Sequence, residues 1–278
     1  MKNLFVAAPL VFSKTLFDGG QVIRAGIGVM AFCLLSGAVY IINDIVDVEK
    51  DRAHPLKRRR PIAASRLPVR VAQWGAVGLV TGAMALAFGL GWSFAATAGG
   101  YFVLNILYSF WLKRVPFLDV GVIATGFVLR VFAGTRAIDV APSSWLLVCT
   151  ALLACFLGFG KRAHELLVAG KEAEKQRAAL AGYRLAHLKV ALIVSGILTT
   201  VAYVLYAVAP HTVAFFGSRR MIVTTPFIAF GVWRFAYLVR RHPEAESPTE
   251  EMLRDWPFLA NIFLWVVVVM GIIYLAPR

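Results

Sequence analysis

Charge is scarce in this chain. Only 16% of its 278 residues are Asp, Glu, Lys or Arg, whereas 59% are hydrophobic and the mean hydropathy is +0.72. A soluble domain needs more polar surface than that to face water. Acidic residues are scarcer still, 15 against 29 Lys and Arg, which leaves a net charge of +14. In a soluble protein that balance points to nucleic acid. Here the basic residues sit in short loops between apolar runs, which argues against nucleic acid and leaves two uses, orientation in a bilayer and binding of phosphates. Cysteine is nearly absent: Cys33, Cys149 and Cys155 all lie inside apolar runs, without CxxC or Cys/His spacing. That excludes a disulfide framework and a zinc site. The five histidines (His54, His164, His187, His211 and His242) are scattered, and no two have metal-ligand spacing. Internal repeats are missing too, which argues against a transporter, as does the concentration of polar groups at one end of the apolar runs.

What the chain has in abundance is long apolar runs. A spanning helix needs about 20 mainly apolar residues. Nine segments qualify, roughly 3–17, 21–45, 69–90, 94–112, 117–137, 143–163, 187–208, 220–239 and 256–275. The expectation is an all-α, multi-pass membrane bundle forming one domain over 1–278. The first segment resembles a signal peptide but has no convincing small-x-small cleavage site and is interrupted by Lys14, so it reads as a short membrane helix. Pro116, Pro142 and Pro257 fall near predicted helix starts, where a missing N–H does no harm. LGWS, between the third and fourth segments, reads as a tight turn. If the spans alternate, the longer polar segments 46–68, 164–186 and 240–255 and the turn 113–116 share one side. They carry most of the 29 Lys and Arg. The positive-inside rule makes that face, and the N-terminus, cytoplasmic, in the cell (inner) membrane.

One stretch breaks the apolar pattern sharply. Residues 43–63, NDIVDVEKDRAHPLKRRRPIA, follow the unbroken run AGIGVMAFCLLSGAVYII. Asp44, Asp47 and Asp51 would lie on one face of a helix, turn after turn. Like charges at that spacing repel, and a carboxylate at a membrane boundary is costly. A divalent cation reverses the sign of both arguments. Mg²⁺ prefers hard oxygen ligands and is commonly held by one or two carboxylates plus substrate phosphates, so this trio suits a Mg²⁺–diphosphate, with Asn43 adding an orienting amide. Lys57, Arg58 and Arg60, just downstream, then read as phosphate ligands, for which Arg offers bidentate geometry and Lys a point charge.

These residues carry a resemblance. NDIVDVEKD followed by HPLKRRRPIA resembles the first aspartate motif of the UbiA-type membrane prenyltransferase superfamily, and the likeness extends over nearly the whole chain. RAHPLKRRRPIAAS, YSFWLKRVPFLDV with LRVFAG, and GKRAHELLVAG are similar to one branch of it, the decaprenyl-phosphate phosphoribosyltransferases. The last motif discriminates. Where aromatic prenyltransferases of the superfamily carry a second D-x-x-x-D motif, this chain reads GKRAHEL, with Lys161, Arg162 and Glu165. Two cations in that place suit a further phosphate group better than a second Mg²⁺. Family members usually begin with RPxQWxKN. MKNLF matches only the KN, so either the start lies upstream or a segment lining the lipid site is missing; Lys2 matches the family's lysine.

The resemblance implies a nine-helix fold with active-site loops on the cytoplasmic side. It implies 5-phosphoribosyl 1-diphosphate as donor and a polyprenyl (decaprenyl) phosphate as acceptor. Mg²⁺ would be held by Asp44 and Asp47, with Asp51 assisting, and phosphates by Lys57, Arg58, Arg60, Lys161 and Arg162. Tyr108 and Lys113, one to two turns apart on one face at a helix end, are further candidates, with an interfacial aromatic as the alternative for Tyr108. Asp119 and Arg130 lie roughly three turns apart inside one apolar helix. Intramembrane charges are functional by default, and a structural ion pair with another helix is the rival. For Glu165 the rival is a helical pair with Lys161. The competing activity is transfer of a prenyl group from a polyprenyl diphosphate to an aromatic or quinone-precursor acceptor, for which the same Mg²⁺ site would serve. The oligomeric state, a homo-oligomer included, is left open.

Overall fold

The computed structural model describes residues 2–53, 57–169, 180, 182–241 and 248–275. His54, His242 and the middle of the polar segment 164–186 lie outside the described residues. All regular structure among the described residues is helical. Seven helices are long and apolar enough to cross a membrane: Gly19–Val46, Val69–Leu90, Leu118–Ala137, Ser144–Val168, Leu185–Val208, Arg219–Arg241 and Trp256–Leu275.

Two of the nine expected segments differ. The first is a 3-10 helix, Lys2–Ala7, followed by a short α-helix, α1 (Ala8–Phe12), and the apolar stretch is too short to span. Pro9 stands at its start, and the chain turns at Lys14, which has φ 61°. The other is Trp92–Phe110, a continuous helix of 19 residues whose Ser, Thr, Gly, Tyr and Asn leave it outside the seven. The 220–239 segment opens with a 3-10 turn, Arg219–Thr224, before its α-helix.

The chain forms two compact units. The first comprises Met1–Phe110 and Leu129–Ala141. Its long helix α2 (Gly19–Val46) starts at Asp18, whose carboxylate accepts from the N–H groups of Gly20 and Gln21. It packs mainly on α4 (Val69–Leu90). Small side chains allow that approach: Ala31 and Ala38 on α2, and Ala72, Ala76, Ala83 and Ala87 on α4, are buried. The four on α4 recur at helical spacing, so one stripe is small while Trp74, Val77 and Phe88 point outward. Small residues inside and large apolar ones outside are the pattern of helices packed in lipid, where burial alone does not drive association. Gly91, the single residue between α4 and α5 (Trp92–Phe110), has φ 120°, which a side chain would strain. This is the tight turn read from LGWS.

The N-terminal 3-10 helix rests on α6 (Leu118–Ala137) at Gly134. A Cβ built there would stand 2.0 Å from the Val6 carbonyl oxygen. Gly134→Ala therefore has to displace backbone, not a side chain. Overpacking of this kind costs about 1–3 kcal/mol. The expected result is a lower melting temperature of the detergent-solubilised protein in a tryptophan-fluorescence melt.

The second unit comprises Trp111–Val128 and Pro142–Arg278. Here α7 (Ser144–Ala169) packs along α8 (Leu185–Val208), and Phe156, Leu188, Leu192, Phe235 and Val239 form the core. The last long helix, starting at Trp256, is capped by Asp255. That carboxylate accepts from the Phe258 N–H and from both ends of the Arg234 fork, at 3.0 and 2.7 Å.

Candidate active site

In the first unit, a helix of 28 residues brings the acidic motif to the end of α2. At 1.5 Å per residue α2 is roughly 42 Å long. That exceeds a hydrocarbon core of about 30 Å, so one end of α2 can emerge into the headgroup region. Asn43 and Asp44 sit in its last turn. The Asp47 N–H donates to the Asn43 carbonyl and the Asp51 N–H to the Asp47 carbonyl, both at 2.9 Å. The backbone thus keeps a nearly helical course into α3 (Val48–Ala53), and the three aspartates follow one another by turns as expected. Asp44 and Asp47 are half-buried, whereas Asp51 is 3% exposed.

The basic segment turns back onto this end. Lys57, Arg58 and Arg59 form an exposed 3-10 turn, and Ile62 and Ala63 behind it are buried. Arg60 is thereby aimed at the acidic face. Its Nη1 donates to Asp44 Oδ1 at 2.7 Å and to Asp51 Oδ2 at 2.8 Å. Two carboxylate oxygens therefore already converge on one positive centre. Among the described residues, no group of three or more His, Cys, Asp or Glu is gathered as a metal cage. The donor set still fits Mg²⁺: it consists of hard oxygens from two or three carboxylates and an amide, and Mg²⁺ usually completes its shell with waters and phosphates.

A second polar cluster lies in the same unit. Arg130 is 8% exposed. Its Nη2 donates to the Tyr101 hydroxyl at 2.6 Å, its Nε to Asn3 Oδ1 at 3.1 Å, and its guanidinium carbon stands 4.6 Å from the Tyr101 ring centre. Ser36 donates to Asn3 at 3.3 Å. Burial first, and then the neighbouring Arg130, pulls the Lys2 ammonium below the usual lysine value.

The second unit holds another network. Asp119 at the start of α6 is fully buried, and Arg162 on α7 is 1% exposed. Arg162 Nε lies 3.1 Å from Asp119 Oδ2, while Arg162 Nη1 donates to Glu165 one turn on. Tyr183 closes the other side: its hydroxyl donates to Asp119 Oδ1 at 2.6 Å and accepts from the Phe117 N–H at 2.6 Å. Burial, and then the bond to Asp119, pushes the Tyr183 phenol well above its ordinary value. Phe117 has φ 64°, an uncommon conformation for a bulky residue, and its N–H bond to Tyr183 helps to hold it there.

The structure thus brings Asp44, Asp51 and Arg60 together, with Asn43 and Asp47 on the same helical end. It pairs Asp119 with Arg162 from another helix, which is the rival reading of that intramembrane charge. Glu165 accepts from Arg162 Nη1, one turn before it on α7. Tyr108 and Lys113 do not share a helical face: α5 ends at Phe110 and Lys113 belongs to a separate 3-10 turn, Leu112–Arg114. The helix breaks at Trp111, with φ −129° and ψ −54°, and Pro116 then keeps the residue before it extended, with Val115 ψ at 119°. Asn3 was marked only by the KN match. Ser36 and Tyr101 were hidden as single polar groups in apolar helices, the signal by which they could have been found. Tyr183, in a polar segment, gave no signal.

The profile of the UbiA prenyltransferase family matches residues 4–267. The chain belongs to the UbiA prenyltransferase family. Its UbiA relatives include the decaprenyl-phosphate phosphoribosyltransferase of Corynebacterium glutamicum, 31% identical over 283 residues, covering 100% of this chain and 84% of that one. The enzyme of the same name from Mycobacterium tuberculosis is 30% identical over 273 residues, covering 97% and 89%. Among solved structures, the UbiA homolog from Archaeoglobus fulgidus bound to DMAPP and Mg²⁺ superposes with a TM-score of 0.68 over 99% of this chain and 100% of that one, at 16% identity. The apo UbiA homolog from Aeropyrum pernix K1 gives 0.71 over 97% and 96%, at 15% identity. At these identities the structural likeness shows the fold alone.

Proposed function

We propose that the protein transfers the 5-phosphoribosyl group of phosphoribosyl diphosphate to a polyprenyl phosphate such as decaprenyl phosphate, releasing diphosphate. The product is a lipid-linked precursor of the kind used for cell-wall arabinose. The full-length likeness to relatives named for this reaction supports the choice. The observation that carries it is that α7 holds cations, Lys161 and Arg162, where the resemblance gives prenyl-transferring members a second acidic pair; Arg162 is taken up by Asp119 and Glu165, so Lys161 is the phosphate ligand of the two.

The residues fit the chemistry. Asp44 and Asp47, with Asp51 assisting and Asn43 orienting, would hold Mg²⁺ at the diphosphate. When bound, Mg²⁺ neutralises charge on the leaving group as the anomeric C–O bond breaks. Lys57, Arg58 and Arg60 bind phosphate oxygens next to it. Lys113 and Lys161 take a further phosphate group, while Arg162, Asp119 and Glu165 fix the end of α7 that presents Lys161. Lys2 and Arg130 serve a substrate phosphate, and Tyr108 lines the substrate path. The acceptor phosphate is already anionic near neutral pH, so positioning and charge stabilisation, rather than a strong general base, supply the acceleration. We place the charged loops and the N-terminus on the cytoplasmic side of the inner membrane, with all nine apolar segments contributing to one catalytic domain.

The test uses purified protein with Mg²⁺ and polyprenyl phosphate, and compares labelled phosphoribosyl diphosphate with labelled polyprenyl diphosphate offered with an aromatic acceptor. Label is expected in lipid only from the ribosyl donor. Incorporation solely from the prenyl donor would reverse the assignment to prenyl transfer.

A further inference from the structure

We propose that Arg60 is an internal counter-ion standing in for the divalent cation, so that the acidic face takes up metal together with diphosphate and resists free metal. This rests on reading that face as the metal–diphosphate site.

The geometry sets the exchange. One guanidinium nitrogen, Arg60 Nη1, occupies the point on which Asp44 Oδ1 and Asp51 Oδ2 converge. The Asp51 side chain is 5% exposed, and a buried carboxylate without compensation is expensive. Arg60 therefore keeps the site assembled before any substrate arrives. A bare divalent cation seeking the same oxygens must evict the guanidinium and leave it, half-buried, beside a like charge. A cation that arrives carrying diphosphate changes the balance. As Arg60 gives up the two carboxylate oxygens it meets phosphate oxygens, for which its planar fork is matched. One set of charge-assisted bonds replaces another, and metal and diphosphate each make the other's binding more favourable. That coupling must be reciprocal.

The other arginines at this turn are placed differently. Arg58 and Arg59 lie exposed on the 3-10 turn, and the Arg59 carbonyl is engaged by Arg66 at 2.7 Å. Among the three arginines of the run, the assignment is therefore to Arg60.

The test titrates the full-length protein in detergent with Mn²⁺, read by electron paramagnetic resonance, alone and with inorganic pyrophosphate. Wild type, Arg60→Gln and Arg60→Lys are compared, and melting temperatures are followed in parallel. Pyrophosphate is expected to tighten Mn²⁺ binding to wild type by on the order of 10²-fold, the upper range of ordinary coupling. Arg60→Gln is expected to bind Mn²⁺ alone about 10-fold tighter than wild type and to lose most of the pyrophosphate effect, because the competitor and the phosphate ligand are removed together. Mn²⁺ alone should raise the melting temperature of Arg60→Gln more than that of wild type. Arg60→Lys, which keeps the charge, should keep metal-alone binding weak. If Arg60→Gln binds Mn²⁺ alone no more tightly than wild type while pyrophosphate still enhances both, the inference fails and the proposed function stands. If Arg60→Lys behaves like Arg60→Gln, charge is not the cause and the inference fails in the same way. Wild type that takes no Mn²⁺ even with pyrophosphate or phosphoribosyl diphosphate overturns both.

Discussion

Asp44→Asn and Asp47→Asn each lower transfer of label from phosphoribosyl diphosphate to lipid phosphate by about 10²-fold or more, the range found when a principal electrostatic stabiliser is removed. Both changes conserve shape and delete one negative charge. Asp44 accepts from Arg60 at 2.7 Å and Asp47 caps α2, its N–H bonded to the Asn43 carbonyl, so an amide can replace either carboxylate with little backbone movement. The folded protein should therefore persist in both variants, visible as an unchanged elution volume in size-exclusion chromatography, while kcat falls. Chelation should silence the wild type, and added Mg²⁺ should restore it. Activity surviving in both variants would sink the metal assignment. Asp51 makes a poorer probe, because at 3% exposure it is held against Arg60, and its loss mixes folding with binding.

Arg162→Ala has the largest expected effect on stability. Its guanidinium is 1% exposed and lies against Asp119, which is fully buried. Removing one member of a buried ion pair leaves the other uncompensated, at roughly 3–5 kcal/mol. The Tyr183 hydroxyl would remain on Asp119 Oδ1, but a single phenol does not replace a cation. The expected reading is a marked fall in melting temperature and in the yield of monodisperse protein. The double variant Asp119→Leu with Arg162→Met removes both buried charges and should recover much of the loss, since neighbours in one network are not additive. If the single variant melts like wild type, Arg162 is free to meet substrate phosphate as its sequence position first suggested.

How much was legible follows from the range of the forces involved. The aspartate series on α2 could be read at once: three carboxylates at helical spacing behind an apolar run are costly wherever the helix packs. The Val69–Leu90 helix was read to the residue and most others to within a few, because length and hydropathy are local. The short N-terminal stretch was overread as a span. Its composition is apolar, but Pro9 and the turn at Lys14 cut it. Placing Tyr108 and Lys113 on one face assumes that the helix continues across Trp111, and the backbone breaks there, with φ −129° and ψ −54°.

The sequence by itself determined a helical membrane protein, its acidic helix end, its surplus of cations and its family. Those rest on composition, periodicity and motif, which no partner residue can alter. Tertiary structure alone decided which cation answers which carboxylate. Arg60 reaches Asp44 and Asp51 because the chain turns back on itself. Arg162, equally basic in the sequence, is enclosed by Asp119 and Glu165 and so serves the fold. Coulomb energy depends on distance and burial, and neither is written in the order of residues.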